Sequence, residues 1–282
     1  AYYNTGTPIL SDDAYDTLRE ELINREPEHP FLKEVGAKPT GKEVRLPFIM
    51  ASLNKIKPGT GAVPHFVNKC SEKSWILSEK LDGISALWYG SNLFLRGDGL
   101  MGVDVTPFAP FIQGLKKTVW AVRGELITTK EGGPQDTLAR SWVNGQLHQK
   151  KPIPSELAKI RFVAYEILNE HMPPREQFTS LKKSGFEVPW YMLVSGTLQD
   201  DVLSKQLMSR RTASIYDTDG IVVAENVYTP QPTTVKNPTN KVAFKMLLNE
   251  QCAETSIVNV EWNPSAQGFL IPRLQVEPVT IG

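Results

Sequence analysis

The segment Glu79-Lys80-Leu81-Asp82-Gly83 is the part of this sequence best equipped for covalent chemistry. A lysine amine becomes a nucleophile when burial or neighbouring positive charge favours its neutral form. A carboxylate two residues on can support that lysine, and a glycine after it lets the backbone turn tightly. Composition alone produces a K-x-D-G match in roughly a few per cent of chains this long, taking each residue at ~5–7 % usage. The plain alternative is a charged strand end followed by a β-turn.

The surrounding sequence weighs against coincidence. Arg96-Gly97-Asp98-Gly99, Val122-Arg123-Gly124-Glu125-Leu126, Asp219-Gly220-Ile221-Val222-Val223 and Val242-Ala243-Phe244-Lys245 follow in order. In type, order and spacing this set resembles the covalent nucleotidyltransferases, the family of DNA ligases, RNA ligases and mRNA capping enzymes. The first segment, Tyr2-Tyr3 … Pro8 … Ser11-Asp12-Asp13-Ala14-Tyr15-Asp16, resembles the N-terminal module of the NAD-dependent DNA ligases. Near the other end, Val260-Glu261-Trp262 … Pro272-Arg273-Leu274-Gln275-Val276-Glu277-Pro278-Val279 resembles the start of that family's OB domain. The resemblance covers nearly the whole chain. Its compact set of modules is closer to a viral or phage enzyme than to a bacterial housekeeping ligase.

The resemblance implies a division of labour. Lys80 is the nucleophile that takes AMP from NAD, releasing nicotinamide mononucleotide (NMN). Asp82 orients the ribose or supports the lysine, and Lys245 binds phosphate, where developing charge needs a cation. Glu125 binds the nucleoside and Tyr165 stacks on adenine; Tyr165 read alone is equally a strand aromatic of the core. Asp219 helps to hold a divalent metal through water, and Mg²⁺ suits such water-keeping oxygen sites. Arg96 and Arg140 match positions that touch nucleotide or DNA phosphates, although Arg140 is equally well read as part of a solvated helix face. Tyr2, Tyr3, Asp12, Tyr15 and Asp16 match the positions that hold NMN. The implied substrate is nicked double-stranded DNA. The same motifs allow an ATP-dependent polynucleotide or RNA ligase, or a non-catalytic ligase-like DNA-binding subunit.

Three positions depart from the family pattern. Ala224 stands where the D-G-(V/I)-V-(I/V)-K motif ends in lysine, which removes a cation expected near the α-phosphate. Ser78 stands where an acidic residue precedes the nucleophile by two, with Glu79 in the adjacent position. Tyr3 replaces a histidine of the N-terminal module. The family's zinc-binding, helix-hairpin-helix and BRCT modules have no counterpart in these residues.

The elements that must position these groups are legible in outline. Ser11-Asp12-Asp13 with Ala14, Leu18 and Leu22 reads as a capped helix that Pro27 and Pro30 end, followed by a linker from Lys38 to Lys42. Strands are expected at Trp75–Lys80, Trp120–Thr128, Arg161–Leu168, Gly220–Glu225 and Lys241–Leu247. Ile84–Tyr89 and Leu93–Arg96 form a hairpin around Gly90-Ser91-Asn92. Helices are expected at Pro134–Gln149 and Arg175–Ser184. Beyond Cys252 the pattern is all-β, with strands at Ile257–Trp262, Gly268–Ile271 and Leu274–Ile281, only part of a small barrel. A missing segment or a second chain would complete it. The expected fold is α+β with mostly antiparallel strands. It divides into an N-terminal helical module (residues 1–45), an antiparallel-sheet nucleotidyltransferase domain (46–252) and an incomplete OB segment (253–282).

Bulk properties exclude other classes. No apolar run of the 282 residues approaches the ~20 that a membrane helix needs, and no basic-then-apolar secretory segment opens the chain. Cys70 and Cys252 lack CxxC spacing and read as reduced thiols of a cytoplasmic protein. The formal net charge is zero, which argues against a wholly basic surface and leaves room for a local basic groove. Ala1 in place of methionine, and the abrupt final strand, read as trimmed ends.

Overall fold

The computed structural model describes residues 25, 43–134, 137–149, 151–246, 254–264 and 270–279. The chain divides into two compact units, Ala1–Phe244 and Lys245–Gly282.

Two sheets make up the described part of the first unit. In the first, the strand order is β1-β6-β5-β4-β7-β8, all antiparallel: β1 (Glu43–Arg45), β4 (Ile84–Tyr89), β5 (Asn92–Leu95), β6 (Met101–Asp104), β7 (Val122–Ile127) and β8 (Arg161–Ile167). The second has the order β2-β11-β10-β3-β9: β2 (Asn54–Ile56), β3 (Ser74–Leu81), β9 (Tyr191–Ser195), β10 (Thr218–Glu225) and β11 (Lys241–Phe244). Only the β2–β11 pair of this sheet is parallel. Among the described residues five α-helices accompany them: α1 (Ala62–Lys69), α2 (Ala139–Leu147), the single turn α3 (Pro154–Leu157), α4 (Pro174–Lys183) and α5 (Asp200–Ala213).

Strand periodicity decides which residues meet the helices, because successive side chains point to opposite faces. On the first sheet Ala86, Val122, Leu126, Phe162 and Ala164 turn to one face. There they pack with Val143 and Leu147 of α2, Leu157 of α3 and Leu181 of α4. Their neighbours Ser85, Arg123 and Glu125 are thereby turned to the other face. On the second sheet Trp75 packs its ring on Phe66 of α1, 5.6 Å between centroids, and Glu79 reaches Arg210 of α5. The opposite face carries Ser78 and Lys80. Each sheet thus has one helix-covered face and an opposite face that carries these polar groups beside buried apolar side chains such as Leu87, and a small cluster of Leu81, Ile127, Val163 and Tyr216 draws on both sheets.

The α+β class with antiparallel sheets agrees with the sequence reading. The hairpin occurs as expected around Gly90 and Ser91, whose φ angles of 57° and 66° are left-handed, as its tight turn requires. Several bounds differ. The helix expected from Pro134 begins at Ala139, and the strand expected to reach Leu247 ends at Phe244. Helix α5 was not foreseen. Asp200 and Asp201 in its first turn and Arg210 and Arg211 in its last are favourable end charges, but only Leu203 and Leu207 are buried, so its apolar stripe is thin.

In the second unit β12 (Ile257–Pro264) and β13 (Leu270–Val276) form one antiparallel pair. The two short strands expected after Gly268 are therefore one. Ile257, Val260, Trp262, Leu270 and Leu274 are exposed on it. The helix over Ser11–Leu22 and the residues Tyr2, Tyr3, Asp12, Tyr15 and Asp16 lie outside the described residues. So does Cys252, whereas Cys70 is a free, buried thiol whose pKa burial pushes up to about 11. Among the described residues no helix is long and apolar enough to cross a membrane.

Candidate active site

Lys80 sits near the end of β3, opposite Gly220 of β10, where a bulge between Thr218 and Gly220 interrupts the pairing. The extra residue of that bulge is Asp219, and bulges re-aim side chains in this way. Its two carboxylate oxygens lie 3.0 and 3.3 Å from the Lys80 Nζ. The charged group paired with Lys80 is therefore a carboxylate, and both side chains are about three-quarters covered.

Asp82 begins the turn after β3. Its N–H donates to the Asp217 carbonyl at 2.9 Å, and its carboxylate lies 3.6 Å from the Arg140 guanidinium at the start of α2. Gly83 is needed for space rather than for a left-handed φ. A Cβ there would stand 2.5 Å from the Leu126 carbonyl and 2.8 Å from the Glu125 Cγ. The lysine turn is thus pressed directly against β7.

Glu125 comes from β7. Burial pushes its carboxyl pKa up to about 7, while Lys80, Arg123, the Tyr165 hydroxyl and Arg140 pull it back down. That response places the Lys80 charge within electrostatic reach of Glu125. The Tyr165 hydroxyl donates to Glu125 at 3.2 Å and lies 2.9 Å from the Ser85 hydroxyl, while Arg123 stands 5.9 Å from the ring centre. Burial raises the Tyr165 pKa despite Arg123. Tyr165 is thus a hydrogen-bonded member of the polar face, which its sequence context did not distinguish from a core aromatic.

A second ionic group was not foreseen. Glu166 of β8 accepts from Lys241 of β11 at 2.6 Å and from Arg123 of β7 at 3.5 Å. Burial would raise the Glu166 carboxyl, but Lys241 and Arg123 outweigh it and hold the pKa below the usual carboxylate range. This pair ties the second sheet to the first. Arg123 also donates to the Ala51 carbonyl at 2.9 Å.

The remaining candidates occupy plainer surroundings. Arg96 directly follows β5, half-buried, and its N–H donates to the Ser85 carbonyl at 3.0 Å. The residues after it form a tight turn in which Asp98 accepts from the N–H groups of Leu100 and Met101 at 2.8 and 2.7 Å. Lys245 directly follows β11 and opens the second unit. Glu79 faces away from Lys80: it is buried, accepts from Arg210 at 2.8 Å and from the Trp190 N–H at 3.2 Å. It is a structural acid of the helix-covered face and does not replace the carboxylate missing at Ser78.

No cluster of three His, Cys, Asp or Glu residues occurs among the described residues. Asp219 nonetheless suits Mg²⁺, which keeps several waters and typically takes one or two carboxylates together with substrate phosphates.

Comparison with known proteins finds relatives along the whole chain. A viral protein named "DNA ligase" from Acanthamoeba polyphaga mimivirus is 33% identical over 296 residues, spanning 99% of this chain and 46% of the relative. A bacterial "DNA ligase" from Sorangium cellulosum is 28% identical over 330 residues, spanning 100% of this chain and 48% of the relative. A solved structure described as "Pmar-Lig_Pre." shares the fold with a TM-score of 0.50 at 12% identity, over 80% of this chain and 53% of that one. No protein-family model matches. The chain spans about half the length of the curated relatives it matches, and along that half it is a homologue of viral and bacterial proteins named DNA ligase.

Proposed function

We propose that this chain carries the nucleotidyl-transfer centre of an NAD-dependent DNA ligase, with Lys80 as the nucleophile. The observation that carries the reading is the setting of Lys80. It stands on a strand end against Asp219, within electrostatic reach of Glu125, while the adjoining Asp82 is paired with Arg140. These residues come from separated segments in the order that the resemblance requires.

In the first step the Lys80 nitrogen bonds to the α-phosphorus of the AMP half. The phosphoanhydride P–O bond breaks and NMN leaves with the electron pair. The lysine must also lose a proton, and the Asp219 oxygens already in contact with Nζ are the acceptors within reach. AMP then passes to the 5′-phosphate of a nick in duplex DNA, and the 3′-hydroxyl attacks that activated phosphate, sealing the strand and releasing AMP. Glu125 and Tyr165 would bind the nucleoside, and Asp82 would orient its ribose. Arg96 and Arg140 would meet phosphates of nucleotide or DNA, and the resemblance gives Lys245 the same charge-neutralising role. A divalent metal, when bound, stabilises charge developing on the phosphate oxygens; Asp219 is the carboxylate here that would help to hold it.

The preference for NAD over ATP rests on Tyr2, Tyr3, Asp12, Tyr15 and Asp16. ATP and NAD share the AMP half, so discrimination belongs to whatever holds the leaving group. A ring with carboxylate acceptors suits a nicotinamide ribonucleotide and repels pyrophosphate. The setting fits a cytoplasmic enzyme of DNA replication or repair. The test is covalent labelling with NAD and with ATP, each labelled in the adenylate. Label from NAD alone supports the reading; label from ATP alone makes the chain part of an ATP-dependent ligase. DNA binding with no label from either makes it a non-catalytic ligase-like subunit.

A further inference from the structure

Ala224 is the position at which the motif beginning Asp219-Gly220 lacks its expected lysine. In the structure its direct cross-strand partner on β11 is Lys241. Residues directly opposite each other share a face, with β-carbons about 4.5–5.5 Å apart. The cation absent from one strand is therefore present beside it on the next.

The register also fixes where along the site this cation stands. Lys80 pairs with Gly220 and Lys241 with Ala224, so the two lysines share a face and are rooted four residues apart along β10. That is roughly 13 Å at ~3.3 Å per residue. An ammonium rooted there is far from an α-phosphate that must touch Lys80, so the register places position 224 away from the α-phosphate, where the motif had suggested a cation. Between the two lysines the same face carries Ser78, Val222 and Ala243, small or apolar side chains suited to lie under a flat ring. The Lys241 Nζ is held at this far end by Glu166, 2.6 Å away. An ammonium has three donors, so hydrogens beyond the one given to Glu166 are available to a ligand.

We propose that Lys241 substitutes for the lysine missing at 224 and marks the nucleobase end of the site, donating to a ring nitrogen of adenine while Glu166 positions it. This rests on the reading that the face beside Lys80 takes an adenine nucleotide. Adenine N1 accepts a hydrogen bond; in hypoxanthine the same nitrogen carries a hydrogen and refuses a donor. Lys241 is thus a specificity determinant that separates these two bases.

The test is equilibrium binding of AMP and IMP to protein whose intact mass shows no adduct, for the unmodified chain, Lys241→Met, and the swap Ala224→Lys with Lys241→Ala. Thermal melting checks folding. Methionine keeps the stem length, and Glu166 retains Arg123. The unmodified chain is expected to prefer AMP. Lys241→Met should lose about ten- to a hundredfold in AMP affinity, the range of one hydrogen bond to a charged group, and little in IMP affinity. The swap should restore the preference. An AMP-to-IMP ratio unchanged by Lys241→Met, a folded swap without the preference, or no AMP binding by the unmodified chain would overturn the proposal. AMP binding that follows this pattern without any lysyl adduct from NAD or ATP would sink the transfer reading and leave the base-end assignment standing.

Discussion

Replacing Glu125 by Gln tests the electrostatics of the polar face directly. The Glu125 pKa is raised by burial to about 7, from an ordinary value of 4.5. A raised carboxyl favours the folded state while it is protonated. Its contribution is complete below the unfolded pKa and is lost as pH climbs through the folded one. Across a shift of about 2.5 units, at 1.36 kcal/mol per unit, the ionised carboxylate costs at most ~3 kcal/mol. Glu125 retains some solvent access, so roughly half of that, about 1–2 kcal/mol, is expected to be realised. Glutamine keeps the shape and can still meet the Tyr165 hydroxyl. The variant should therefore match the parent near pH 5 and exceed it at pH 8, with Tm higher by about 2–8 °C for a chain of this size. Thermal melting of both proteins across pH 5–8 measures this. A stability difference that does not change with pH, or a variant that grows less stable than the parent as pH rises, would refute the reasoning. It would mean that Lys80 and Arg123 need the Glu125 charge more than burial opposes it.

Truncating Glu79 to Ala leaves the partly buried Arg210 without its carboxylate and should cost about 3–5 kcal/mol in denaturant unfolding, whereas an exposed acid would cost almost nothing. Gly83→Ala drives a methyl against the Leu126 carbonyl and should destabilise the chain by about 1–3 kcal/mol; a neutral result in thermal unfolding would show that the turn has room to shift. Lys245→Ala should slow covalent labelling about a hundredfold, the effect of losing one charge-stabilising group, with the fold retained, as initial labelling rates would report.

Much of the candidate site was legible in the sequence as short motifs on expected strands. Trp75–Lys80 reads as a strand, and the carboxylate and glycine that follow Lys80 mark its turn. Period-two alternation could also have assigned Glu79, since neighbours on a strand cannot share a face; its part-buried pair with Arg210, 131 residues away, could not be seen. The tie from Lys241 to Glu166 joins strands of different sheets, and no local pattern encodes such a pairing. The placement of Asp219 against Lys80 depends on a bulge, a register irregularity that side-chain types do not announce. The short strands β1 and β2 were missed because three residues are too few to show a period. Helix α5 was missed because two buried leucines carry its packing and its remaining surface is polar.

The central claim, that Lys80 takes AMP from NAD, is tested most directly by intact mass. The purified chain is measured before and after incubation with NAD and Mg²⁺, then after NMN, beside Lys80→Ala. The account predicts a gain equal to one AMP group on the unmodified chain, localised to Lys80 by peptide mapping, removed by NMN and absent from the variant. An adduct on Lys80→Ala, or none on the unmodified chain after incubation with NAD, would contradict it.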